Sequence, residues 1–483
     1  MMITDECPIG RLTIDMLSDD VLLYIFDLYR QESMAVYDIW PWHVLVHVCQ
    51  RWRHVIFAWP HHLDLQLRYR SGTDVVKALD ILPANLLINI RSGLRADLEN
   101  WDDIVAALGH RDRITGIELT CGTMLQLERC TAVMQEPFPF LRTLDLYCDE
   151  NDSDAPVVLG AFLGRSAPRL QKITLCRVPF PTLPELLLST KDLVGLDLVN
   201  ITSAGYIPPD ALATCLSMLK RLEHIGVCFQ SVKSFPTLTN RPPPPVICAV
   251  FPALITFVFK GVSEYLEDLI ARIDAPLLHY FFLQFFYQPN FDTPQVSQFL
   301  RRVENFKPPL TADIHFHDCT VGASEAVSLS GCNFFLRLHR DWLFRKLVML
   351  EQIFSQCFPH TSHVLRLRLK LNKEYNSEES EPGPQVSALW LRFLQIFNAV
   401  QILDVIDEEL VHDIAYVLGE LTGERAAEVL PLLRTVVFHG PGYIRPSVNH
   451  LLGPFIDARK LSDHPVAVSW MLERGRGSIL DNE

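Results

Sequence analysis

The chain has 483 residues, of which 49% are hydrophobic and 21% charged, and its formal net charge is -14. A chain of this length and composition buries one large core or several ordinary ones and does not belong to the disordered class. Because attraction to phosphates needs a basic face, the acidic balance argues against non-specific binding to nucleic acid.

The twelve cysteines are scattered without a C-x-x-C pair, and several, such as Cys176 and Cys228, lie in apolar runs that suit any small hydrophobic residue. They are interpreted as reduced thiols, which indicates a cytoplasmic or nuclear protein. The first residues lack a basic region followed by an apolar one, and no run of about 18 uncharged apolar residues occurs. We therefore expect neither secretion nor a membrane segment.

Residues 14–60 form a predicted all-α module near the N-terminus. Ser18 is placed to cap a helix whose first turn carries Asp19 and Asp20, which are favourable at the positive end of the helix dipole. A second helix is predicted over residues 44–57. Such a small module has too little interior to hide all of its apolar side chains, so some of them are expected to meet a partner.

Two apolar patterns in this module are similar to the F-box. They read Leu17-x-x-x-Val21-Leu22-x-x-Ile25-Phe26 and Leu45-x-x-Val48-Cys49-x-x-Trp52-Arg53-x-x-Ile56. In that family the F-box binds the Skp-type adaptor of cullin ubiquitin ligases. The resemblance implies that the adaptor contacts are Leu17, Val21, Leu22, Ile25, Phe26, Leu45, Val48, Cys49, Trp52 and Ile56.

The module departs from the family pattern in two places. Ser18 stands where Pro is usual, and the distance between the two patterns is longer than usual. The added length carries Trp40-Pro41-Trp42 and resembles the variant found in fungal F-box proteins with irregular repeats. The alternative for Cys49 and Trp52 is a self-contained helical hairpin that packs on the first repeat.

Behind the module, one strand template, L-x-x-L-x-L with aliphatic or aromatic replacements, recurs at intervals of 23 to 32 residues in its first seven copies. This interval is close to the roughly 20–29 residues of leucine-rich repeats. The copies are Ile114/Ile117/Leu119, Leu141/Leu144/Leu146, Leu170/Ile173/Leu175, Leu193/Leu196/Leu198, Leu222/Ile225/Val227, Leu254/Phe257/Phe259, Leu277/Tyr280/Phe282, Val364/Leu367/Leu369, Val400/Leu403/Val405 and Leu433/Val436/Phe438.

Amphipathic segments between the strands, such as residues 209–220, 263–274 and 294–303, read as helices. A single strand-helix unit cannot bury its apolar edge alone, so the units are predicted to stack. The fold class is therefore α/β, with the short all-α F-box module followed by a leucine-rich-repeat-like α/β solenoid. An ordinary doubly wound α/β domain is the alternative.

The predicted domain boundaries follow from these patterns. Residues 1–13 are an N-terminal extension, residues 61–458 are the solenoid, and residues 459–483 are a polar C-terminal tail. Pro242 to Pro245 and the acidic stretch from Glu374 to Pro384 are predicted loops within the solenoid.

The sequence carries no phosphate-binding, dinucleotide-binding, HExxH or G-x-S-x-G motif. His315, His317 and Cys319 would share one face of a strand and are a candidate metal cluster, but ordinary strand alternation explains the same pattern. We expect no catalytic residue, no cofactor and no bound metal. An enzyme assembled from scattered residues is the least favoured class.

Residues between the template positions should face the strand-lined surface. In the later half several of them are basic, and Arg337, Arg366, Arg368 and Lys370 are the candidate substrate-binding residues. This basic ladder would receive an acidic or phosphorylated segment of a target protein. The alternative is an edge strand protected by its charges.

Taken together, the module and the repeats predict the substrate-recognition subunit of an SCF-type cullin ubiquitin ligase. Its partners would be a Skp-type adaptor, the cullin ligase and an unknown target protein, with no nucleic acid and no membrane. The alternative is a non-catalytic repeat scaffold that does not mark its targets for degradation.

Overall fold

A computed structural model describes residues 14–34, 41–59, 87–92, 101–150, 161–180, 182–236, 248–286, 293–303, 311–318, 325–330, 333–338, 347–348, 350–352, 354–355, 362–373 and 384–471. The chain divides into two compact units, Met1–Thr190 and Lys191–Glu483, which we call unit 1 and unit 2. Each is described by itself.

Unit 1 begins with three helices, α1 (Asp19–Met34), α2 (Pro41–Val46) and α3 (Gln50–Ala58). They are followed by alternating strands and helices: β1 (Ile88–Arg91), α4 (Trp101–Leu108), β2 (Ile114–Cys121), α5 (Met124–Val133), β3 (Thr143–Cys148), β4 (Lys172–Cys176) and α6 (Leu183–Leu187). The strands β1 to β4 pair in sequence order, and all of these pairs are parallel.

Unit 2 continues the alternation. Its first half comprises β5 (Gly195–Ile201), α7 (Pro209–Leu216), β6 (His224–Phe229), β7 (Ala249–Val250), β8 (Thr256–Gly261), α8 (Ser263–Ile270), β9 (Ile273–Asp274), β10 (Tyr280–Phe285) and α9 (Pro294–Arg302). The short strands β7 and β9 form a separate parallel pair.

The second half of unit 2 comprises β11 (Thr311–Asp318), β12 (Glu325–Ser330), β13 (Asn333–Leu338), β14 (Arg366–Lys373), α10 (Pro384–Gln395), β15 (Ile402–Ile406), α11 (Glu408–Gly419), α12 (Arg425–Glu428), β16 (Thr435–His439), α13 (Arg445–Leu461) and β17 (Ala467–Met471). Short 3-10 helices in the two units are Ile14–Met16, Arg111–Arg113, Phe162–Arg165, Ser203–Gly205, Val232–Ser234 and Gly442–Ile444.

The strand order in the large sheet of unit 2 is β5-β6-β8-β10-β13-β12-β11-β14-β15-β16-β17. The pairs of β12 with β11 and with β13 are antiparallel, whereas the other recorded pairs are parallel. The predicted stack of repeating strand-helix units therefore does not describe β11 to β13. Alternation of apolar residues is the same in either strand direction, so the sequence pattern did not reveal this meander.

The template positions lie in the core as predicted. Nine of the ten predicted triplets are buried in full, with exposed fractions of at most 4%. In β10 the predicted triplet beginning at Leu277 is wrong by one residue: Leu277 is 55% exposed, while Leu278, Phe281 and Leu283 are buried. Both faces of β10 are apolar, so alternation did not determine its register; the parallel pairing of Phe281 with Phe257 does.

Helices cover the buried face of the sheet. Phe281 of β10 packs on Phe299 of α9, with ring centroids 5.7 Å apart. Helix α9 has the predicted apolar side buried and Arg302 exposed. Its N-terminus is held by Glu267 of α8, whose buried carboxylate accepts the backbone N–H groups of Gln295 and Val296 at 2.8 Å. A carboxylate at this end of a helix satisfies unpaired amides and the helix dipole together.

The array continues past the predicted boundary at residue 458. Helix α13 ends at Leu461, and β17 pairs with β16 in parallel. Arg459, the first residue of the predicted tail, is fully buried. The polar composition of the segment was misleading because a buried arginine can satisfy backbone carbonyls, and Arg459 does so.

Candidate functional site

The three N-terminal helices have a core of their own. Its buried members are Leu22, Phe26, Leu45, Val46, Val55 and Ile56. Trp52 lies partly buried at the edge of this core, with its ring 4.8 Å from that of Phe26. The predicted cap at Ser18 is confirmed, since its Oγ accepts the backbone N–H of Val21 at 3.4 Å.

The single helix predicted over residues 44–57 is in fact two helices. Helix α2 ends at Val46, and α3 begins at Gln50, directly after Cys49. Cys49 is extended, with φ -156° and ψ 170°, and caps α3. Its Sγ accepts the backbone N–H of Trp52 at 3.4 Å. Cysteine is not among the usual capping residues, so the unbroken apolar periodicity concealed this break.

Two arginines of α3 donate hydrogen bonds to backbone oxygens at the ends of neighbouring segments of the module. Arg51 donates to the backbone oxygen of Leu17 at 2.5 Å and forms an ion pair with Asp19 at 2.8 Å. Arg53 donates from Nε to the backbone oxygen of Val46 at 3.0 Å, at the end of α2. Carbonyls at helix ends lack intrahelical partners, so these contacts tie the three helices together without using the remaining apolar surface.

The structure divides the ten predicted adaptor contacts into three groups. Leu22, Phe26, Leu45 and Ile56 are buried within the module. Leu17, Cys49 and Trp52 are partly buried. Val21, Ile25 and Val48 are 43%, 37% and 55% exposed, respectively, and can meet a partner directly.

Helix α1 carries further exposed apolar residues that are not among the ten predicted adaptor contacts. Tyr24, Leu28 and Tyr29 are 64%, 45% and 39% exposed. At 3.6 residues per turn they fall beside Val21 and Ile25 on one side of the helix. We call these five residues the α1 stripe. The separation of i, i+4 and i+7 from Val21 to Ile25 and Leu28 was a signal available in the sequence.

On the strand-lined surface of unit 2, Arg366 and Arg368 share one carboxylate. Asp404 of the neighbouring strand β15 is 1% exposed at its side chain, and its Oδ2 lies 2.5 Å from Arg366 Nε and 3.6 Å from Arg368 Nε. Lys370 is half-buried on the same face. Asp404 could not be placed from sequence, since it pairs with residues more than thirty positions away.

The alternative explanation of the basic ladder, an edge strand, is wrong. Strand β14 lies inside the sheet, paired with β11 on one side and with β15 on the other. The backbone of Arg337 pairs with Gln284 in the same sheet, but its side chain lies outside the described part of the structure. The same is true of the side chains of His315 and His317, and Cys319 lies outside the described residues.

The strand-lined surfaces carry other polar side-chain pairs. In unit 1, Arg91 meets Glu118 at 2.9 Å and Lys172 meets Asp145 at 3.7 Å. In unit 2, Asp197 and His224 are 2.6 Å apart.

Among the described residues, no group of three His, Cys, Asp or Glu side chains is arranged to hold a metal ion. The eight cysteines within that part of the chain carry free thiols. None of its helices is both long and apolar enough to span a membrane.

No family model matches this chain, and no curated protein matches it with significance. Among solved structures, the leucine-rich repeat-containing protein LegL7 from Legionella pneumophila is similar over 80% of this chain and 98% of its own, with 12% identity and a TM-score of 0.27. A similarity this weak supports no conclusion about the fold or the function of this chain. The α/β repeat architecture rests on the strand registers and buried template positions described above.

Proposed function

We propose that this chain is the substrate-recognition subunit of an SCF-type cullin ubiquitin ligase. The helical module binds a Skp-type adaptor, and the strand-lined surface of the repeats binds the target protein. The observation that carries the proposal is the α1 stripe, five exposed apolar side chains on a module that already has its own core. Folding of the module does not require burial of the stripe, whereas a partner gains by covering it.

No covalent chemistry is assigned to this chain. The ubiquitin transfer takes place on other subunits, and the chain contributes proximity by holding the target near them. A repeat scaffold that binds the adaptor without marking a target is the second candidate. Recovery of adaptor and cullin together with the chain from cells supports the ligase, whereas recovery of the adaptor alone supports the scaffold.

We expect the double substitution Val21→Glu and Ile25→Glu to weaken adaptor binding at least about 30-fold, which corresponds to the roughly 2 kcal/mol of a binding hot spot. Two charges in the stripe would be desolvated on binding. The affinity of the purified chain for the Skp-type adaptor can be measured by calorimetry. Phe26→Ala is unsuitable here, because Phe26 is 1% exposed and its loss would damage the module itself.

The matched control is Leu125→Glu with Leu188→Glu, which replaces two exposed leucines of unit 1 outside the module, 66% and 54% exposed. This variant should bind the adaptor like the unmodified chain. Equal affinity of the stripe variant and the control, with the helical signal of both unchanged, would remove the basis of the proposal.

A further inference from the structure

Strand β17 is the last strand in the sheet order of unit 2, and among the described residues no strand pairs with its outer side. Its sequence, AVSWM, contains neither a charged residue nor a proline. Natural edge strands are usually protected by such residues, because unpaired backbone groups can pair with another chain. The outer side of β17, which we call the open edge, therefore lacks the usual protection against strand addition.

The backbone hydrogen bonds show which residues of β17 serve the open edge. Ala467 donates its N–H to the carbonyl oxygen just before β16 at 2.9 Å, and the carbonyl oxygen of Met471 accepts the N–H just after β16 at 3.4 Å. Successive residues of a strand direct their N–H and C=O groups to opposite sides, so Ser469 also faces β16. Val468 and Trp470 therefore present two N–H donors and two carbonyl acceptors at the open edge.

The core side of β17 is incompletely covered. Trp470 packs on Phe438 of β16, with ring centroids 5.4 Å apart, so Val468 and Trp470 lie on the core side. Both side chains are partly exposed, whereas Val436 and Phe438, which are in register with them, are fully buried. The apolar core of unit 2 thus reaches the open edge without being closed there. A partner that pairs with this edge also covers the two side chains.

The sequence of β17 is complementary to itself in the antiparallel direction. When Ser469 stands opposite the same residue of a second copy, Val468 of each copy faces Trp470 of the other. These two pairs carry four backbone hydrogen bonds, because they consist of the residues whose backbone groups point to the open edge. Each pair also places an aliphatic side chain against an aromatic one. On the other face, the small Ala467 leaves room for Met471, which is 52% exposed.

We propose that two copies of this chain associate through β17, edge to edge and antiparallel, about a twofold axis at Ser469. A twofold contact uses the open edge of each copy once, so association stops at the dimer. Each copy contributes a strand of 5 residues. This is far fewer than the roughly 20–30 residues a side of a standard interface, so the expected dissociation constant is roughly micromolar. The inference is independent of the proposed function, since no residue of the α1 stripe takes part.

The first test is sedimentation of the purified full chain over concentrations from about 1 to about 100 μM, which span a micromolar dissociation constant. We expect the average mass to rise from that of a monomer toward that of a dimer. Ser469→Lys sets two like charges directly opposite each other at the axis and should weaken association roughly 5-fold. The matched control is Ser203→Lys, the same substitution at another exposed serine of unit 2, which should associate like the unmodified chain.

The second test is cross-linking, which reports the register. Ser469 and its copy form a pair without hydrogen bonds, in which the Cα atoms lie about 4.5 Å apart, within the range that a disulfide spans. Ser469→Cys should therefore give a covalent dimer when diamide takes up the two electrons and two protons of the thiols. In Ala467→Cys the two new thiols would be four residues, roughly 14 Å, apart along the strands, so this variant should not cross-link.

Three results would overturn the inference. In the first, the full chain remains monomeric at every concentration, which leaves the open edge to a different chain or to residues 472–483. In the second, Ser469→Lys associates as strongly as Ser203→Lys. In the third, Ser469→Cys cross-links no better than Ala467→Cys, which places the contact elsewhere on the molecule. No adaptor is present in these measurements, so their outcome is separate from that of the proposed function.

Discussion

Replacing Leu278 with aspartate will prevent unit 2 from folding, whereas the same substitution at the adjacent Leu277 will leave it folded. Leu278 is fully buried among the template residues, and Leu277 is 55% exposed. A carboxylate at the first position would be buried without a partner, at an expected cost of at least about 4 kcal/mol. At the second position it would remain in water, with an effect within about 0.5 kcal/mol.

Urea denaturation and limited proteolysis of the two variants provide the measurement. The Leu278→Asp chain should be recovered insoluble or cleaved rapidly, and the Leu277→Asp chain should match the unmodified protein in its denaturation midpoint. The adjacent leucines have the same chemistry and differ in the direction of the side chain. The opposite result would show that the template register of β10 begins at Leu277 after all.

Arg459→Met is expected to destabilise unit 2 by about 3 kcal/mol, because it leaves several buried carbonyls without a donor. The guanidinium donates to the backbone oxygens of Ala426, Leu430, Pro431 and Leu433 at 2.9 to 3.4 Å. Burial lowers the pKa of Arg459, but an arginine stays charged at neutral pH. Methionine has a similar volume, so the change tests the hydrogen bonds more than the packing.

Lys460→Met is the control for this change. Lys460 is the next residue of α13, its side chain is 63% exposed, and its contact with Asp457 is a long one of 3.9 Å. Surface pairs of this kind contribute little. Hydrogen exchange of residues 426–433 should accelerate in Arg459→Met and remain unchanged in Lys460→Met. Equal exchange in the two variants would mean that Arg459 does not hold this segment.

The parts of the fold that depend on local pattern were predictable. Template residues such as Leu144 and Leu403 are identified by apolar periodicity alone, and the amphipathic helix α9 follows from its spacing. The pattern was ambiguous where both sides of a strand are apolar, as at Tyr280 and Phe282 in β10. That ambiguity has a physical cause, because an aromatic outward face removes the contrast on which the register prediction depends.

The residues of the candidate sites also fall into two groups: those that a local sequence pattern predicts and those that only the fold brings together. The sequence identified Val21, Ile25 and the arginines of β14, since each belongs to a periodic pattern. It did not identify Asp404, which meets Arg366 only when two distant strands are placed side by side. Cys49 was recognised as part of a motif, but its capping role depends on a backbone conformation that composition does not specify.

The meander of β11 to β13 has a consequence for synthesis of the chain. In the large sheet of unit 2, β6, β8 and β10 each pair with a strand already made, so this part of the sheet can grow in chain order as the chain leaves the ribosome. Strand β11 breaks this order, because the neighbour of β10 is β13. The edge of β10 therefore stays open until Leu338 has been made, and the edge of β11 that does not face β12 stays open until β14 has been made. We therefore expect the partly made chain to expose unpaired strand edges at this stage, and such edges can pair with other chains.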